Sequence, residues 1–248
     1  MKIIVYGIGG AMGKIVNEVV SREDEVVCGV DKFADKNNFS VPVYSSCKEI
    51  TEKADCIIDF SVREAIYDYL PYAVEHKIPC VIATTGYDEK ELAFIDEASR
   101  TIPVFKSGNM SVGINVLLRI AKLAASVLGN QADIEIVETH HHRKVDAPSG
   151  TALLLADGIK EVLPDKQYVF GRNGHTGKRK PEELGIHALR GGTVVGKHEI
   201  SFFMNSEVIT VKHEAESRAV FAEGSLSAAR FLVGKNPGIY NMNDMLNQ

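Results

Sequence analysis

From residue 138 to residue 151 the chain reads Glu138-Thr139-His140-His141-His142-Arg143-Lys144-Val145-Asp146-Ala147-Pro148-Ser149-Gly150-Thr151. Three imidazoles, the side chains that titrate nearest neutral pH, are followed by a lysine that adds a full positive charge. Pro148 then suits a first helical turn, Ser149 or Thr151 can cap it, and the apolar run Ala152-Leu153-Leu154-Leu155-Ala156 continues it. The N–H groups of such a turn, about Ser149, Gly150 and Thr151, bind carboxylates. A proton donor beside an anion site is the chemistry this segment offers. In extended chain His140 and His142 point to one side and His141 to the other, so the three cannot serve one centre. Adjacent histidines also lack the helical spacing of a zinc site, and no metal is expected. Asp146 is placed to pair with Lys144 or Arg143, or to cap the helix.

A second group of residues near the N-terminus offers different chemistry. Gly7-Ile8-Gly9-Gly10-Ala11-Met12-Gly13 follows a strand-like run and opens a helix, the context in which a pyrophosphate can approach the backbone. The strict GxGxxG spacing fails at Met12, and Gly7, Gly10 and Gly13 form a variant with the same logic. Asp31 ends the next strand, Val26 to Val30, where a carboxylate can accept the ribose hydroxyls of NAD; Lys32 beside it can pair with the 2′-phosphate of NADP. Ala83-Thr84-Thr85-Gly86 and Ser107-Gly108-Asn109-Met110 each follow a strand-like run and would reach the carboxyl edge of the same sheet. These stretches are the cofactor-binding candidates, with either NADH or NADPH as the ligand.

The elements that must position both groups follow from periodicity. Short β-branched runs alternate with helical patterns through residue 105, the βαβ rhythm of a parallel sheet: Ile3 to Tyr6, Val26 to Val30, Cys56 to Phe60 and Cys80 to Ala83. The rhythm breaks near Val104 to Asn109, a long apolar helix is expected from Val112 to Leu128, and a domain change falls there. Ala132 to Glu138 alternates as a strand that delivers its end to the histidines. After a helix from Ser149 to Leu163, antiparallel strands are expected at Gly185 to Leu189, Thr193 to Phe203 and Glu207 to His213, joined by turns at Arg190-Gly191-Gly192 and Asn205-Ser206. Residues 165 to 184 read as a long loop. A closing helix, Ala219 to Val233, is apolar enough to pack back on the first domain.

Composition narrows the class. At 248 residues with 45% hydrophobic content the chain is of ordinary globular type, one large or two modest domains. A net charge of -5 gives no global field for nucleic acid. The opening run is too short for a signal peptide or membrane span, which with four cysteines lacking CxxC spacing suits a cytoplasmic protein with free, buried thiols.

These residues resemble the 4-hydroxy-tetrahydrodipicolinate (dihydrodipicolinate) reductase family of diaminopimelate and lysine biosynthesis. The resemblance rests on Glu138-Thr139-His140-His141 through Lys144-Val145-Asp146-Ala147-Pro148-Ser149-Gly150-Thr151-Ala152, and extends over the Gly7 to Gly13 loop, Asp59-Phe60-Ser61, Ala83 to Gly86, Asn109 to Gly113, Arg172 to Gly177, Arg190 to Gly196 and Ser217-Arg218. It implies an α/β fold in which a Rossmann-type dinucleotide-binding domain, residues 1–109 and 217–248, carries an inserted α+β substrate-binding domain, residues 110–216, whose mixed sheet supports a homotetramer. It implies further that His140 is the proton donor/acceptor, Lys144 a proton donor, and His141, Gly150 and Thr151 ligands of the carboxylates of a small cyclic dicarboxylate, with Ser149 beside them. The cofactor would lie on Gly7, Ile8, Gly9, Gly10, Ala11, Met12, Asp31, Lys32, Ala83, Thr84, Thr85, Ser107, Gly108, Asn109 and Met110. Three positions depart from the pattern of relatives: Met110 where some carry an aromatic, Lys197 where an acid is common, and Arg63 one place later than in those that use an arginine near the 2′-phosphate. The competing readings are another Rossmann amino-acid dehydrogenase, a dinucleotide sensor without turnover, and a metal-dependent hydrolase.

Overall fold

The computed structural model describes residues 1–247 and divides the chain into two compact units, Met1–Val112 with the residues from Arg218 onward, and Gly113–Ser217. The first unit opens with β1 (Lys2–Tyr6), α1 (Ala11–Val20), β2 (Glu25–Val30), β3 (Val43–Tyr44), β4 (Cys56–Asp59), α2 (Ile66–His76), β5 (Cys80–Ile82), α3 (Glu89–Ser99) and β6 (Pro103–Lys106). The second holds α4 (Val112–Leu128), β7 (Asp133–His140), α5 (Gly150–Val162), β8 (Gln167–Phe170), β9 (Glu183–Arg190), β10 (Gly196–Phe203) and β11 (Val208–Ala215). The chain then returns to the first unit as α6 (Ala219–Leu232), β12 (Gly238–Tyr240) and α7 (Met242–Leu246).

All strands of the first sheet are parallel, in the order β12-β6-β5-β4-β1-β2-β3. A parallel sheet needs helices on both faces, which is why Cys56, Ile57, Ile58 and Asp59 are all buried with no alternation. α1 and α6 cover one face through Val16, Val20, Ala222, Leu226 and Leu232. α2 and α3 cover the other through Ile66, Leu70, Ala73 and Ile95. The order reverses between β1 and β4, the switch point at which open α/β sheets bind their ligands. The apolar closing helix therefore has a definite place: without α6 the part of that face over β4, β5 and β6 would lie bare.

The second sheet has the order β11-β10-β7-β9-β8. β7 buries Ile134, Ile136, Glu138 and His140 in strict alternation, and the apolar part of that face packs with Ile114, Leu117 and Ala121 of α4 and Leu155 and Ile159 of α5. The helical stretch Val112–Gln131, α4 with the turn that follows it, is long and apolar enough to cross a membrane by length and composition alone, and 28% of its most apolar window is buried.

Two sequence expectations need correction here. The last three strands do not form a run of antiparallel hairpins: β9 pairs parallel with β7, and β10 lies on the other side of β7, antiparallel to it. The turn after Arg190 thus joins two strands that are not neighbours, because β7 occupies the place between them. The long loop contains β8, parallel to β9. Its remainder is tied down by Arg172 and Arg179, which both donate to Glu135 at 3.0 Å. Glu135 can lie over β9 only because residue 185 is glycine; a Cβ there would fall 1.8 Å from its carboxylate.

Candidate active site

His140 is the last residue of β7 and is 8% exposed. Its Nδ1 lies 2.6 Å from Oε2 of Glu138, two residues back on the same face of the strand. Glu138 is fully buried and receives three further hydrogen bonds: Ser149 N–H donates to Oε1 at 2.9 Å, and Nη2 and Nη1 of Arg190 donate to Oε1 and Oε2 at 2.8 Å each. Burial raises the Glu138 carboxyl, but the bonds from Arg190, His140 and Ser149 outweigh it and hold the group below its ordinary range. The carboxylate is ionised, and it is locked.

The 191–195 connection wraps the end of β7 and shapes the loop beyond it. Gly191 N–H donates to the His140 carbonyl, His141 N–H to the Val194 carbonyl and His142 N–H to the Gly192 carbonyl. His142 and Arg143 are exposed. Lys144 pairs with Asp146 at 2.8 Å, and Arg190 Nη2 donates to the Asp146 carbonyl at 2.6 Å, so one guanidinium ties the loop to the Glu138 pair.

Ser149 caps α5: its Oγ accepts from Ala152 N–H and lies 3.1 Å from His198 Nε2. The hydroxyl of this residue is thereby used by the protein itself. Gly150 is exposed in the first turn, with nothing within 4 Å of the position a Cβ would take. His198, on β10, meets the His140 ring edge-on at 5.2 Å. Burial, aided by the charge His140 carries when protonated, pushes His198 down to about 4, so it stays neutral at physiological pH. Gly196 lies beside His140 Nε2; a Cβ there would stand 3.1 Å from that atom. Imidazole, ammonium and helix N-terminus thus gather at one end of this sheet, with chemistry suited to protonating an anion.

In the first unit the glycine turn links β1 to α1 at the switch point. Gly13 lets α1 start against the turn, since a Cβ there would fall 1.9 Å from the Gly7 carbonyl oxygen. Gly13 rather than the residue at Met12 therefore fills the close-packing place of the usual glycine fingerprint. Asp31 follows β2, with Oδ2 accepting from Gly9 N–H at 3.0 Å and Oδ1 accepting from Phe33 and Ala34 N–H. It braces the glycine loop against the loop that carries Lys32.

A cleft of about 450 Å³ opens along the carboxyl edge of the sheet, lined by Met12, Phe60, Arg63, Ala83, Thr84 and Thr85. A smaller one of about 130 Å³ shares Phe60 and Ala83 and adds Ser107, Gly108, Asn109, Met110 and Phe221. Asp59 lies buried beneath, accepting from Ser61 N–H at 3.0 Å, while Ser61 N–H also reaches Thr84 Oγ1 at 3.1 Å. Burial pushes Asp59 up to about 6 against those hydrogen bonds. Backbone amides of a strand-to-helix turn, a braced carboxylate and clefts at the switch point fit a dinucleotide.

The departures find places. Met110 is 3% exposed and belongs to the core of the first unit; Lys197 pairs with Glu214 across the β10–β11 ladder at 2.5 Å; Arg63 donates to the Gly86 carbonyl at 2.9 Å. Sequence reasoning missed Arg190 and His198 as parts of the His140 surroundings, and Phe221 in the smaller cleft. Glu138 was legible, being two residues before His140 on an alternating strand. No local pattern marks Arg190 or His198, because both come from strands paired to β7 only in three dimensions. Among the described residues no group of acidic, histidine or cysteine side chains could hold a metal ion.

Residues 1–110 match the family model "Dihydrodipicolinate reductase, N-terminus" and residues 113–246 match "Dihydrodipicolinate reductase, C-terminus". A 4-hydroxy-tetrahydrodipicolinate reductase of Caldanaerobacter subterraneus is 53% identical, over 99% of this chain and 98% of the relative. One from Clostridium tetani is 45% identical over 100% and 97%. In fold the chain is similar to a dipicolinate-bound dihydrodipicolinate reductase from Paenisporosarcina sp. TG-14, with a TM-score of 0.81 at 22% identity over 98% of each chain. It is also similar to an aspartate dehydrogenase from Thermotoga maritima, with a TM-score of 0.52 at 14% identity over 95% of this chain and 98% of that one.

Proposed function

Because the chain belongs to the dihydrodipicolinate reductase family, we propose that it reduces 4-hydroxy-tetrahydrodipicolinate to tetrahydrodipicolinate with a nicotinamide dinucleotide, His140 and Lys144 supplying the protons. The observation that carries the residue assignment is His140 on the locked carboxylate of Glu138, with Lys144 and the start of α5 beside it. The 4-hydroxyl and a neighbouring ring proton leave as water, and the dihydro ring so formed takes up one proton together with a hydride, which the reduced nicotinamide would supply when bound. His140 gives the proton to the neighbouring ring carbon. Lys144, freed from Asp146, is the second proton donor, to the departing hydroxyl, while the α5 N-terminus with Gly150, Thr151 and His141 takes up the charge of the two carboxylates. Ser149 shapes this site as the helix cap.

The first unit is the dinucleotide domain, using Gly7 to Met12, Asp31, Lys32, Ala83 to Thr85 and Ser107 to Met110. The second binds the ring and assembles a homotetramer; the sheet face turned away from α4 and α5 supports this by leaving Leu189, Phe203 and Val208 exposed. Both cofactors are used, since Asp31 and Lys32 stand side by side. The four unpaired, buried cysteines suit a reducing cytoplasm.

The test follows loss of reduced-nicotinamide absorbance with NADH or NADPH, the substrate being made in place from pyruvate and aspartate semialdehyde by its synthase. Oxidation that depends on both the synthase and this protein is the expected result and ranks the cofactors. None, with the substrate supply and cofactor binding shown to be intact, would leave a sensor or another dehydrogenase. His140→Ala and Lys144→Ala are each expected to lower kcat by about 10²-fold or more while sparing cofactor affinity; a variant with normal kcat would remove that residue's role.

A further inference from the structure

We infer that Glu138 is a positioning residue that acts through His140, setting the tautomer and aim of the imidazole, with Arg190 as the counter-charge that keeps the carboxylate ionised. The inference rests on the reading of His140 as the proton donor. An ionised carboxylate has no proton to give, so the 2.6 Å contact with Glu138 Oε2 requires the proton to be on His140 Nδ1. Nε2 is then the atom that takes up a second proton from solvent, making the imidazolium, and gives that proton to the ring. Gly196 beside it carries no side chain, and a Cβ in its place would be 3.1 Å from Nε2.

Glu138 cannot drift from this position. Its two oxygens accept from His140, from both terminal nitrogens of Arg190 and from Ser149 N–H, and the residue is fully buried. The neighbouring imidazole does not compete for it: His198 faces Ser149 Oγ and remains neutral. A neutral amide at 138 would keep the volume yet could present either an oxygen or an NH₂ to Nδ1. His140 would then populate both tautomers, only one of which leaves Nε2 able to carry the transferred proton in the right order.

A double-mutant cycle on the whole enzyme separates this role from a merely structural one. Glu138→Gln is expected to lower kcat by about 10²-fold with KM for the ring within about twofold of wild type. Added to His140→Ala, it should lower kcat no further. Losses that multiply would overturn the proposal, because Glu138 would then act by another route. A raised KM at unchanged kcat would overturn it as well, pointing to a substrate-binding or structural part. Normal turnover in His140→Ala alone would remove the underlying reading, a result distinct from either. Should Glu138→Gln fail to fold, Glu138→Asp keeps the charge opposite Arg190 while withdrawing the carboxylate by one methylene, and the same cycle is read with it.

Discussion

Arg190 grips Glu138 with two parallel hydrogen bonds of 2.8 Å, although the residues stand 52 positions apart in the chain. The two strands that carry them are parallel neighbours, and Arg190 lies opposite His140 in their register. A buried carboxylate tolerates such burial only with its partner present. Arg190→Met should therefore destabilise the protein by about 3–5 kcal/mol in urea unfolding. The double variant Glu138→Gln/Arg190→Met should recover much of that loss, since no unpaired charge is left buried. A double variant as unstable as the single one would mean that Arg190 contributes by packing instead.

Gly13 sets how close α1 comes to the glycine turn. In Gly13→Ala the new methyl group would meet the Gly7 carbonyl at 1.9 Å, so turn and helix must separate. The expected cost is about 1–3 kcal/mol of stability, together with a fall in NADH affinity of about tenfold or more, equivalent to about 1.4 kcal/mol. Fluorescence titration of NADH checks the second outcome; unchanged affinity would place the pyrophosphate elsewhere.

Asp31 and Lys32 should separate in their effects on the cofactors. The Asp31 carboxylate holds Gly9 N–H as well as the two amides that follow Lys32, so Asp31→Ala loosens the loop and should weaken NADH and NADPH alike. Lys32→Ala removes only a charge suited to a 2′-phosphate. Its KM for NADPH should rise about tenfold at low salt with little change for NADH. Equal changes for the two cofactors would take Lys32 out of the phosphate site.

His198 makes the second unit sensitive to acid. Its folded value of about 4 lies below the ordinary 6.5, so its contribution to stability is complete above pH 6.5 and is lost as pH falls toward 4. The loss is on the order of 3 kcal/mol. Thermal unfolding of wild type and His198→Gln across that window should show the wild type losing more stability. Parallel curves would show that the imidazole is hydrated or displaced on protonation at no cost.

The open face of the second sheet carries the cross-strand pair Phe203 and Val208, 43% and 51% exposed. Light scattering is expected to give the mass of a tetramer for the native protein and a smaller one for Phe203→Asp/Val208→Asp, with circular dichroism unchanged. A native mass retained in that variant would move the assembly contact off this face.

Much of the molecule was legible in the sequence because its signals are local. The parallel βαβ rhythm, the glycine turn with Asp31, the Val112 to Leu128 helix and the alternation that puts Glu138 on the same side as His140 all follow from periods of two and 3.6 residues. Such periods fix which face of a strand or helix is buried, and a motif fixes which groups are adjacent along the chain. They do not fix which strand lies beside which. Only the tertiary structure put β7 between β9 and β10, brought Arg190 and His198 to Glu138 and Ser149, and drew β8 out of an apparent loop. The reason is that strand pairing is decided by the joint burial of distant segments, where the choice of neighbour depends on every other element competing for the same edge.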